Sequence, residues 1–313
     1  MTLNQTKEFA PMNRMPDRRH PRSTRIFAGA FAAACVLTGS ASADLYNWQN
    51  DPSAYGYLCQ YSIPNDLAAE SCVPTSTVNA FAYLQNTYAT ELGGVQLVGS
   101  GYAGWNATAQ TLQGFFGTTP AGTPYTSAAN GLDNYLSSIG AASLVTREAI
   151  SALGDPAYPS WVTQNAVPTF GDFHGWMSSG AVVVVSIGYA DGGGHEITMV
   201  GLDWNDANGD GVVDESEGAT FTVIDPLDPS EAYSGSDVLG PPKPTTISVW
   251  QNAAGELLRF SYQQYVGQLP FDAGNYSTAG GFIGGGVSIS VIPAPAAWIA
   301  ALVAGACGSR RRR

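Results

Sequence analysis

The stretch from Gly192 to Pro226, GGGHEITMVGLDWNDANGDGVVDESEGATFTVIDP, constrains the fold of this chain more than any other. In its middle, Asp206 to Glu217 read D-A-N-G-D-G-V-V-D-E-S-E. Oxygen-bearing side chains fall at the first, third, fifth, ninth and twelfth positions of a twelve-residue loop, with Gly211 at the sixth. That is the spacing of an EF-hand calcium loop. Asp206, Asn208 and Asp210 would give side-chain oxygens, Val212 its carbonyl, Asp214 a direct or water-mediated contact and Glu217 a bidentate carboxylate. A plain acidic turn is the alternative, and a glycine in register with five donors argues against it. A structural Ca2+ ion is therefore the expected cofactor. The flanks depart from an EF-hand, because His195–Trp204 and Ala219–Ile224 are short, rich in β-branched residues and partly alternating. They read as two strands of a hairpin whose tip is the calcium loop.

Upstream, Thr169 to Ser179 reads as a helix ended by Gly180. Ala181–Tyr189 is then a continuous apolar run, as in a strand buried on both faces. Earlier still, ESCVPTSTVNAFAY from Glu70 to Tyr83 reads as a helix start, with Pro74 suited to the first helical position. Cys72 thus sits at or just before a helix N-terminus, where unpaired N–H groups and the helix dipole favour the thiolate. A Cys59–Cys72 disulfide is the competing reading, since these are the cysteines outside the two chain ends. Ala107–Phe116 and Ser127–Ile139 read as short amphipathic helices, the second with Ser127 as N-cap. Past Pro226, Leu227–Pro244 reads as a long loop, Thr246–Trp250 with Leu257–Tyr262 as a hairpin, and Gly280–Gly286 as a flexible lead into a last strand.

Both ends of the chain read as addresses. Residues 1–43 combine Arg14, Arg18, Arg19, Arg22 and Arg25, an apolar run from Ile26 to Leu37, and Ala41-Ser42-Ala43 as a small-residue cleavage pattern, which is a signal peptide. At the other end, residues 292–313 run from Ile292-Pro293-Ala294-Pro295 through an apolar stretch, Ala296–Ala306, to Arg310–Arg313. The apolar stretch is short for a transmembrane helix. Between the ends, residues 44–292 carry Arg147, Lys243 and Arg259 against every acidic residue but Glu8 and Asp17, a net charge of −20. Nucleic acid and anionic membranes are poor partners for such a surface.

Two resemblances follow from these residues. SCVPTS heading a helix, then AVVVVSIGYADGGGHEITMVGLD, then FTVIDP, resembles the papain-like cysteine peptidases of the bacteriocin-leader-processing type and their secreted relatives. The resemblance covers roughly residues 55–230. It implies an α+β, papain-like fold, with N-terminal helices packed on an antiparallel sheet and the calcium loop as an insertion. The papain-like domain would span 44–268, followed by a glycine-rich stretch and last strand over 269–291. The resemblance further implies Cys72 as nucleophile, His195 as general base and Asp225 as the group that orients the imidazole. Family members carry Gly after the nucleophile and an oxyanion-hole glutamine a few residues before it. Here Val73 and Asp66 occupy those positions. Gln60 fills the oxyanion role if Pro64–Glu70 is an insertion, and Asn65 is the other candidate. The tail resembles a PEP-CTERM sorting signal read by an exosortase, with Ala294 where that signal has glutamate.

The expected function is that of an exported, calcium-stabilised cysteine peptidase acting on peptide or protein substrates. Its other partner would be an exosortase-like sorting protease, and it would meet the membrane only through the C-terminal tail. Two alternatives share the fold: an inactive surface or extracellular-matrix binding module with a Cys59–Cys72 disulfide, and a transglutaminase-like acyl transferase.

Overall fold

The computed structural model describes residues 44–190, 193–210, 212–227, 244–261 and 280–293, all within the compact unit Ala41–Arg313. The signal-peptide reading, Gly211, and the sorting tail beyond Pro293 lie outside the described residues. No helix among them is long and apolar enough to cross a membrane.

The chain is α+β, with helices first and strands second. After strand β1 (Asp44–Gln49) come α1 (Cys72–Thr87), α2 (Gly101–Phe116) and α3 (Tyr125–Ser138). Strands β2 (Val145–Ser151) and β3 (Val162–Gln164) and helix α4 (Phe170–Ser178) precede β4 (Val182–Tyr189), β5 (Gly194–Asp206) and β6 (Ala219–Ile224). Strands β7 (Thr245–Trp250), β8 (Arg259–Ser261) and β9 (Gly281–Val291) complete the described elements. Because β4 pairs with both β5 and β9, the antiparallel strands β4 to β9 close into a six-stranded barrel, with β1, β2 and β3 as additions at its margins.

Closure explains the unbroken apolar run of β4. Val183, Val185 and Ile187 point into the barrel with Phe173, Met199, Phe221 and Phe260, while Val182 and Val184 point into a second core with Val78, Phe81 and Leu84 of α1. A strand sandwiched between two cores has no solvent face, so its sequence cannot alternate. Helix α4 plugs the barrel and is held by a capping box between Thr169 and Asp172.

Several local expectations are corrected. Gly281–Gly286 is not a flexible lead but the first half of β9, paired with β4, β8 and β2. Glycine is needed there: a Cβ on Gly281 would lie 2.1 Å from the Gly188 carbonyl oxygen, and one on Gly286 2.8 Å from the Phe173 ring. Close strand approach, which local pattern cannot report, separates this run from a linker. Helix α3 starts at Tyr125 after Pro124, so Ser127 lies inside it and is no cap. Helix α2 begins at Gly101 rather than Ala107, because Gly99 and Gly104 pack backbone to backbone. Pro74 is the third residue of α1, where its missing N–H would have had no intrahelical acceptor.

Candidate active site

Cys72 is the first residue of α1, where the amide donors and the dipole of a 16-residue helix converge. Two reciprocal hydrogen bonds lock the first turns of this helix onto β5. Ser76 Oγ donates to the Glu196 carbonyl at 2.8 Å, and Thr198 Oγ1 donates to the Ser76 carbonyl at 2.9 Å. His195 stands one residue inside β5, paired with Ile187. Asp225 follows the last residue of β6, diagonal to His195 because Thr198 pairs with Ile224. Residues at 72, 195 and 225 thus meet at one end of the barrel.

The His195 Nε2 and Asp225 Oδ1 atoms are 2.8 Å apart, and both residues are 4% exposed. The same Asp225 oxygen accepts the Leu227 N–H at 2.8 Å, which fixes the carboxylate. The Cys72 side chain stands beside the same imidazole, near enough to help raise its pKa. With Nε2 engaged by Asp225, Nδ1 is the ring nitrogen left to exchange a proton with a thiol. Burial alone would lower the His195 pKa, but the charge and hydrogen bond of Asp225, joined by Cys72, outweigh it and raise the pKa well above 6.5. The arrangement favours an imidazolium beside a cysteine at a helix N-terminus. Cys72 is a half-buried free thiol, and no disulfide joins it to Cys59.

Gln60 is tied to this centre from two sides. Its backbone N–H donates to the Pro226 carbonyl at 2.8 Å, and its side-chain Nε2 donates to the Ala69 carbonyl at 2.8 Å. The segment before it is stapled to α1 by Asn79, whose side chain accepts from the Leu58 N–H and donates to the Leu58 carbonyl. Pro64–Glu70 forms short turns between Gln60 and the helix. Asp66 is exposed on them, and Asn65 is occupied by Gln113 and the Leu67 N–H. Gln60 is 1% exposed and its Oε1 has no hydrogen-bond partner, while one of its two amide protons is not used by Ala69. His174, on α4, packs edge-on against Tyr46 of β1 with ring centroids 4.9 Å apart.

Sequence reasoning missed three residues beside the site. Ser186 of β4 pairs with Glu196 and donates its hydroxyl to that carboxylate, and Tyr125, at the start of α3, brings its hydroxyl beside Gly194. Glu196, a carboxylate directly after His195 in a strand with no other acidic residue before Asp203, was the available signal. A cross-strand row also runs away from the site: Gly194, Gly188, Phe282, Arg259 and Trp250 are directly paired through five strands. The Phe282 ring lies on Gly188 and is 40% exposed, beside a recess of about 310 Å3 lined also by Arg259 and Trp250.

The expected calcium loop joins β5 to β6 at the other end of these strands. Its backbone is organised by its own side chains: Asp206 Oδ1 accepts the Gly209 and Asp210 amides, Asn208 Oδ1 the Asp210 amide and Asp210 Oδ1 the Val212 amide. Asp214 Oδ1 accepts the Ser216 amide, and Glu217 spans the loop, accepting from Asn208 through one oxygen and Asp214 through the other. Val213 anchors the loop in the barrel core, and its carbonyl accepts the Gln251 N–H at 2.8 Å. Among the described residues, no three acidic, cysteine or histidine side chains cluster closely enough to share a metal ion as placed.

No family model matches the sequence, and no curated protein matches it significantly.

Proposed function

We propose that the protein is an exported cysteine peptidase, with Cys72 as nucleophile, His195 as general base and acid, and Asp225 as the orienting carboxylate. The observation that carries this reading is the convergence of Cys72, at the start of α1, on the His195 imidazole that Asp225 holds by a hydrogen bond of 2.8 Å. The thiolate of Cys72 attacks a peptide carbonyl carbon, and the carbonyl electron pair moves onto oxygen. The His195 imidazolium then gives its proton to the leaving amine as the C–N bond breaks, leaving a thioester. His195 next takes a proton from water, which attacks the thioester and returns the Cys72 thiolate. Asp225 holds the imidazole in place and balances its charge. The free amide proton of Gln60, with the amides of the first turn of α1, is suited to receive the developing oxyanion. A papain-like kinship and processing of the tail by an exosortase-like protease belong to the same proposal.

Calcium belongs to the structural side of this reading. The all-oxygen donor set of Asp206, Asn208, Asp210, Val212, Asp214 and Glu217 suits a hard cation, and their unused oxygens are the ligands it would take. Bound there, the ion would neutralise the clustered carboxylates and hold β5 and β6 in register.

Absence of the Cys59–Cys72 bridge favours the enzyme over the disulfide-locked binding module. The test is alkylation of the purified, non-reduced protein read by mass spectrometry. Cys72 is expected to react at least about 100-fold faster than Cys59, and His195→Ala to abolish the difference. A slow Cys72 insensitive to His195→Ala, or a bridge to Cys59, would overturn the assignment.

A further inference from the structure

We infer that Gln113 of α2 is a positioning residue of the site. With Asn65 and Ser71 it ties the turns between Gln60 and Cys72 into a knot that sets the Gln60 amide against the nucleophile. The inference rests on the proposed roles of Cys72 and Gln60. It adds a residue from a helix that supplies nothing to the triad.

The knot is a closed ring of hydrogen bonds. Asn65 Nδ2 donates to Gln113 Oε1 at 2.7 Å, and Gln113 Nε2 donates back to Asn65 Oδ1 at 3.3 Å. The second Nε2 proton goes to Ser71 Oγ at 2.6 Å. Ser71 Oγ gives its own proton to the Leu67 carbonyl at 2.5 Å, and the Leu67 N–H returns to Asn65 Oδ1 at 3.0 Å. Both protons and the oxygen of the Gln113 amide are thereby engaged, so the amide has one orientation. Gln113 is 5% exposed and Ser71 is fully buried. In such a ring, removing one member leaves the others buried and short of partners.

Two observations connect the ring to the chemistry. Ser71 is the N-cap residue of α1, directly before Cys72, yet its side chain makes no capping bond to the helix. A serine there ordinarily accepts from an N–H of the first turn. Its hydroxyl is spent on Gln113 and Leu67 instead, which anchors the start of α1 to α2. Gln60 hangs from the same turns. Its Nε2 donates to the Ala69 carbonyl, between Leu67 and Ser71, and its N–H is fixed by Pro226, next to Asp225. The place of the Gln60 amide relative to Cys72 is therefore set through the turns that Gln113 holds. Displacing a group at a reacting centre by about 1 Å costs up to about 100-fold in rate.

The test compares two reactions of Cys72 in the purified protein. Alkylation by iodoacetamide is a displacement at a saturated carbon and forms no oxyanion. Acylation by para-nitrophenyl acetate does form one: the thiolate attacks the ester carbonyl carbon, the electron pair moves onto oxygen, and para-nitrophenolate leaves as the thioester forms. Gln113→Leu is expected to slow acylation about 10- to 100-fold and alkylation less than about twofold. In a Gln60→Ala background the same substitution should slow acylation no more than about threefold, because the donor it positions is gone. An unchanged acylation rate, equal losses in both reactions, or the full loss in the Gln60→Ala background overturns the inference. If Gln113→Leu does not fold, Asn65→Ala, on a half-buried turn, carries the same comparison. NMR of the Gln60 side-chain amide, assigned by its loss in Gln60→Ala, reads the position apart from reactivity. A shift of that signal in Gln113→Leu is expected even if Cys72 reacts with neither reagent, a result that would sink the peptidase reading alone. An unmoved signal overturns the knot.

Discussion

The two ends of the β5–β6 hairpin use aspartate in opposite ways. At one end Asp225 is buried, carries a charge-assisted bond to His195 and is braced by one backbone amide. At the other, Asp214 is fully exposed, and hydrogen bonds from Ser216, side chain first and then backbone, lower its pKa. A buried carboxylate needs a partner of opposite charge, whereas an exposed one is satisfied by amides and water. His195 and Asp206 are eleven positions apart on one strand, on the order of 35 Å. Groups so far apart communicate only through strand register, so the hairpin should separate into a chemical end and a structural end.

The strongest challenge to that division is Asp225→Ala. It leaves a buried imidazole without its counter-charge and should cost about 3–5 kcal/mol in urea unfolding, while slowing Cys72 alkylation at neutral pH. A variant as stable and as reactive as wild type would mean that the buried pair contributes nothing.

Stability against pH sharpens the contrast further. Glu196 has a folded pKa raised from 4.5 to about 7, so the native state holds its proton longer than the unfolded chain. Stability from this group is complete below about pH 4.5 and declines as pH rises toward about 7. His195, raised above 6.5, adds stability that is complete below about pH 6.5 and is lost at higher pH. Melting temperature should therefore fall in two stages from acid to alkaline pH. Glu196→Gln should remove the first stage alone.

At the far end, Asp210→Ala should lower the melting temperature in calcium by a few degrees, about 2–3 kcal/mol at saturating ion, and should change nothing in chelator. Cys72 alkylation should be unaltered in the same variant at a temperature where both proteins are folded. Equal destabilisation in both media would remove calcium from the account, and a change in Cys72 chemistry would break the division between the ends. The smallest expected effect is that of Phe282→Ala. Its exposed ring should contribute little to stability and a few-fold to KM for peptides with an apolar side chain near the scissile bond.

Much of this was legible one segment at a time. The helix beginning at Cys72, the doubly buried strand at Val182–Tyr189 and the hairpin flanking Asp206–Glu217 each announce themselves through periodicity or spacing. What escaped was set by approach between distant segments. Gly281–Gly286 looks like a linker until its neighbours at Gly188 and Phe173 are known, and Gln60 looks too far from Cys72 until Pro64–Glu70 is seen as turns.

The sequence by itself determined which residue types this chain brings to chemistry: a cysteine at a helix start, a histidine after three glycines, an aspartate before a proline and an oxygen-rich loop. Only the tertiary structure decided which of them meet. Barrel closure through β4 and β9, and the Ser76–Glu196 and Thr198–Ser76 bonds, carry Cys72 to His195 across more than a hundred residues. The same closure buries Glu196, a residue unremarkable in the chain, beside them. Local pattern encodes burial and backbone preference, which are properties of neighbours in sequence, whereas a site is made of neighbours in space.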